Sequence, residues 1–132
     1  MPAQSAPQLA RDLRQRSLAE KKSDRALIFK RALSGVLIGS IESGNAALEK
    51  KDNALAAQYF ACAAEANPES EWVFRQLAIA RALSGDRNGA IEALRSARQL
   101  SKDLTFFSNW LDTESSLTCL RSMPEFKALK AN

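Results

Sequence analysis

From residue 25 onward apolar side chains return every three or four positions. Phe29, Leu33, Leu37, Ile41 and Leu48 form one such series, which is the spacing of a single helix face. The series predicts one long helix, or two nearly collinear ones interrupted near Gly35 or Gly39, with Ser23 or Asp24 as its cap. Each glycine costs about 1 kcal/mol relative to alanine, a cost expected where another helix crosses closely. Upstream, residues 2–7 read as loose chain, and residues 8–22 predict a basic helix with Leu9, Leu13 and Leu18 on its apolar side.

The middle of the chain is alanine-rich and periodic. The stretch ALAAQYFACAAEANPES surrounds Phe60 with alanines and stops at Pro68, which cannot donate to a helical ladder. Thirty-four residues later the pattern returns: Asp52 aligns with Asp86, Ala56 with Ala90, Phe60 with Leu94 and Ala63 with Ala97. Positions i, i+4 and i+7 share a face, so each large residue is a knob flanked by alanines that admit a neighbouring helix. Asp52 and Asp86 suit amino-terminal caps. Before them, residues 72–84 predict a helix ending at Gly85, where a turn needs positive φ, with Lys51 at the matching place in the first unit.

This pattern resembles the tetratricopeptide repeat (TPR) family, whose signature spans 34 residues. Leu77, Ala78, Gly85, Ala90, Leu94 and Ala97 hold signature positions in the second unit; Gly44, Ala56, Phe60, Ala63 and Pro68 do so in the first. Ser40 and Ser43 depart from the signature. The resemblance covers roughly residues 37–102 and implies an all-α fold of antiparallel helix hairpins stacked as a short right-handed superhelix. Two hairpins leave apolar faces uncovered, so residues 1–34 are expected as a basic helical cap and residues 103–132 as carboxyl-terminal capping helices. There, Phe106, Phe107, Trp110 and Leu111 form an i, i+4 stripe, Ser115–Arg121 reads as a short helix holding Leu117 and Leu120, and Pro124 opens another with Phe126 and Leu129 inward. The run SSLTCLRSMPEFKALK resembles the closing segment of bacterial TPR arrays.

The resemblance implies a concave groove lined by the first helix of each repeat: Ile38, Ile41, Asn45 and Leu48, then Trp72, Arg75, Ile79 and Leu83. These residues suit the apolar face of a helix or an extended peptide. They do not suit the carboxylate clamp of some family members, because Ile41 and Gln76 stand where it needs Lys and Asn. The expected function is a non-enzymatic protein-binding adaptor or assembly subunit, its partner another protein or a second copy of the chain, with the amino-terminal helix a rival occupant of the groove.

Charge and chemistry adjust this picture only at one end. Residues 1–34 carry eight basic and three acidic side chains, whereas the remainder carries eleven and twelve. Arg11, Arg14, Arg16, Lys21, Lys22, Arg25, Lys30 and Arg31 therefore offer an alternative, an anion-binding segment for nucleic acid or an acidic membrane surface. Phe29 is the one aromatic interleaved there, few for base stacking. Histidine is absent, which removes Ser-His and Cys-His nucleophile pairs. Glycine-rich phosphate loops are also missing, and GSIESG (39–44) lies inside a helical pattern. No cofactor or metal is expected. Glu69 and Glu71 suit a helix start. Cys62 and Cys119 read as core thiols in a reducing, cytoplasmic setting, with a disulfide or a cleaved organelle presequence as the alternatives. The longest uncharged apolar run, ALSGVLIGSI (32–41), is too short for the roughly 20 residues of a membrane span.

Overall fold

Short polar side chains start most helices of this chain. In the computed structural model, which describes residues 5–19 and 24–130 and the side chains of 5–16 and 27–130, all regular structure is helical. The elements are α1 (Ala6–Ala19), α2 (Asp24–Glu49), α3 (Asn53–Ala66), α4 (Glu71–Leu83), α5 (Arg87–Leu100), α6 (Leu104–Thr113), a 3₁₀ helix (Ser115–Leu120) and α7 (Pro124–Ala128). Asp52, Ser70, Asp86 and Asp103 each accept a bond from a backbone N–H in the first turn of α3, α4, α5 and α6, satisfying donors that the helix itself leaves unpaired.

The turns that fold α2 onto α3 and α4 onto α5 are the same structure thirty-four residues apart. Asp52 N–H donates to Ala47 O and Lys51 N–H to Leu48 O; Asp86 N–H donates to Arg81 O and Gly85 N–H to Ala82 O. Both are Schellman closures, and both need a left-handed residue. Gly85 supplies it at φ 90°, but in the first turn Lys51 is held at φ 61°, against the steric preference of an L-residue.

Each hairpin closes around a large side chain. Phe60 is fully buried, and a Cβ added to Gly44 would lie 2.9 Å from its ring. Glycine at 44 is thus required by close approach, not by backbone conformation. Ala47, Ala56 and Ala63 complete the surroundings in the same cluster, and Leu77, Leu94, Ala90 and Ala97 continue it through α4 and α5. The carboxyl-terminal elements close this core with Phe107, Leu111, Leu117, Leu120, Phe126 and Leu129. Arg98 Nε donates to Leu129 O at 3.0 Å, tying the end of α7 to α5.

α1 lies along α2 and α3, where Ala10 packs with Cys62 and Ala66 beside Leu33, Val36 and Leu37. Its start is ordered by a reciprocal cap: Gln8 N–H donates to Ser5 Oγ, and Ser5 N–H to Gln8 Oε1. Residues 5–7 are therefore structured rather than loose, and S-A-P-Q is a capping-box signature.

Three further expectations change. α2 is one unbroken helix, the first of the two expected forms, but a Cβ at Gly35 or Gly39 would meet nothing within 4 Å, so no described helix crosses there. Leu9 is exposed; the inward position of α1 is Ala10. Cys119 is exposed and both thiols are free, because a 3₁₀ helix places residues three apart on one face, and that face holds Leu117 and Leu120. Lys21, Lys22 and Ser23, with the side chains of Leu18 and Arg25, lie outside the described residues.

Two outcomes follow from the turn and the ring. Lys51→Gly is expected to stabilise the fold by about 1 kcal/mol, read as a higher denaturant midpoint at unchanged slope. Gly44→Ala is expected to destabilise it by about 1–3 kcal/mol, despite alanine's better helix propensity.

Candidate functional site: an aromatic and arginine face on α4 and α6

The ring of Phe60 lies against α2 at Gly44 and edge-on to Trp72 of α4, with centroids 6.3 Å apart. α2 and α4 thus meet over it. Arg75, one turn beyond Trp72, reaches α6: its guanidinium carbon is 5.9 Å from the Phe106 ring centroid and 5.3 Å from that of Trp110. Such cation–π contacts strengthen as the cation loses water. Trp72 keeps 40% of its surface exposed and Phe106 58%. A positive charge is therefore fixed among aromatic rings that remain open to solvent.

Glu71 shares this site. Its Oε1 lies 3.6 Å from Arg75 Nε, near enough for charge attraction but too far for a hydrogen bond. Both atoms are buried and have no hydrogen-bond partner among the described residues. Buried polar atoms in that state cost free energy, so the pair is held by charge attraction and not by a hydrogen bond.

The residues expected in the groove divide into four groups. Ile38, Asn45 and Leu83 are exposed, and Trp72 and Arg75 form the site just described. Ile41 and Leu48 are half-buried and pack on the core. Ile79 is a core residue and not a groove residue. α4 is packed by both α3 and α5, so its turn Leu77–Ala80 is wholly buried. Phe106, Trp110 and Glu71 were not among the expected groove residues. The signal was the doubled i, i+4 pattern in α6: Phe107 and Leu111 face the core, while Phe106 and Trp110 sit one position back and turn toward α4. The amino-terminal helix α1, the rival occupant expected for the groove, packs on α2 and α3.

The basic side chains do not act as one free set. Arg11 Nε donates to Glu65 Oε2 at 3.0 Å, and that hydrogen bond, with the Glu65 charge, pushes the arginine pKa upward. Arg16 sits 5.8 Å over the Phe29 ring, and Arg14 Nε is buried. Lys30 and Arg31 are exposed.

Clefts also occur away from this face. One of about 480 Å³ separates the start of α1 from α3, beside Pro7, Leu55 and Tyr59; another, of about 240 Å³, lies among Phe74, Arg81, Glu92 and Ser96. Among the described residues no three His, Cys, Asp or Glu side chains gather as a metal site, and no helix is long and apolar enough to cross a membrane. Comparison with known proteins returned no matching family model, no similar curated protein and no similar solved structure.

Proposed function

We propose that this chain is a non-enzymatic, tetratricopeptide-like adaptor or assembly subunit that holds a helix or extended peptide of another protein across α2, α4 and α6. The observation that carries this reading is Arg75, immobilised between Phe106 and Trp110 beside the half-exposed Trp72. Trp and Arg anchors on rigid elements are the composition of binding hot spots. An apolar ligand face would seat on Trp72, Phe106 and Ile38, and a ligand carbonyl or carboxylate would pair with Arg75. The setting we propose is cytoplasmic and reducing, where Cys62 and Cys119 remain thiols.

The anion-binding alternative has less support. Arg11 is engaged by Glu65, and the face of Phe29 is covered by Arg16 rather than offered to a base.

A photo-crosslinking residue at exposed Asn45 or Asn109 is expected to capture a partner in cells, whereas one at exposed Gln99 on α5 is not. Trp72→Ala is expected to weaken the capture about 30-fold with helical content unchanged by circular dichroism. Equal adducts from Gln99 would remove the groove reading. A fluorescence titration with nucleic acid at two salt concentrations is expected to lack the steep salt dependence of phosphate-driven binding.

A further inference from the structure

α2 has two faces, and the described residues cover only one. Leu33, Val36, Leu37, Gly44 and Ala47 face α1 and α3. On the other side Ile28, Arg31, Gly35, Gly39, Glu42 and Ala46 follow one another at steps of three or four residues, so they form one stripe. All six are exposed, Ile28 by 62%. From Ile28 to Ala46 the stripe extends roughly 27 Å along the helix. Gly35 and Gly39 weaken a helix, and among the described residues nothing packs against them. Arg31 and Glu42 form no ion pair among the described residues.

We propose that this face binds the same face of a second copy of the chain, with the two α2 helices antiparallel. The stripe is its own complement when reversed. Arg31 stands four residues before Gly35, and Glu42 three residues after Gly39. When Gly35 of one copy meets Gly39 of the other, each Ile28 comes over an Ala46, and each Arg31 comes within one residue, about 1.5 Å along the axis, of a Glu42, an offset that the long side chains span. The glycines let the backbones approach, large side chains meet small ones, and opposite charges pair twice across a two-fold axis. A parallel arrangement in register would set Arg31 against Arg31 and Glu42 against Glu42, so the charges also select the direction. This surface is separate from the Trp72–Arg75 site and does not rest on the groove reading; Ile38, at the border of both, is left unaltered in the test.

Sedimentation velocity on the full chain, up to roughly 100 μM, tests the proposal. The expected mass is twice the 14.5 kDa of the chain, falling toward one copy on dilution. Arg31→Glu and Glu42→Arg are each expected to weaken association at least tenfold by placing like charges opposite, with unchanged circular dichroism because both sites are exposed. Mixing the two variants is expected to restore the dimer, since a chain with two acids then faces a chain with two arginines. A single-copy mass for the wild type throughout this range would overturn the proposal, as would single variants that dimerise like the wild type. A mixture that stays monomeric would overturn the antiparallel pairing.

Discussion

The ring of Phe60 against the backbone of Gly44 is the contact on which the rest of the fold depends. A phenylalanine is a large apolar load, and its burial contributes about 1.5–3 kcal/mol. It can be buried between two helices only if the facing helix yields space. Gly44 yields it, and Ala47, Ala56 and Ala63 keep the remaining approach close. The same ring is the surface on which Trp72 rests. Its position therefore governs how α2, α3 and α4 lie together.

The second hairpin uses the same logic with a smaller knob. Leu94 replaces Phe60, flanked again by alanines, and the turn before it repeats the hydrogen bonds of the first. The difference lies in the left-handed residue. Gly85 takes that conformation readily, whereas Lys51 takes it because Asp52 must both close the first turn and cap α3. The backbone bonds of the turn and the Asp52 side-chain cap thus offset one unfavourable dihedral.

Rigidity at Arg75 and openness along α2 give the two exposed surfaces different characters. Arg75 is gripped by two rings and an acid from its own chain, so a ligand there meets a preorganised group. The outer stripe of α2 has no support among the described residues, and packing among them does not explain its glycines. A helix can serve both purposes because its faces are independent: residues three or four apart share a side, and the opposite side is free to carry another pattern.

Local signals in the sequence determined the helices, their caps and their inward residues. Asp52, Asp86, Phe60, Leu94, Leu117, Leu120, Phe126 and Leu129 could all be placed from spacing alone, because a helix face and a cap depend on neighbours within a turn. Ser5 and Gln8 carried such a signal as well, in S-A-P-Q. Tertiary structure decided what depends on residues distant in the chain. It buried Ile79 between two helices, exposed Cys119 through a change of helical pitch, and left Gly35 and Gly39 bare while placing Gly44 under an aromatic ring. It also turned Phe106 and Trp110 toward Arg75. Periodicity says which residues share a side of a helix; only packing says what that side faces.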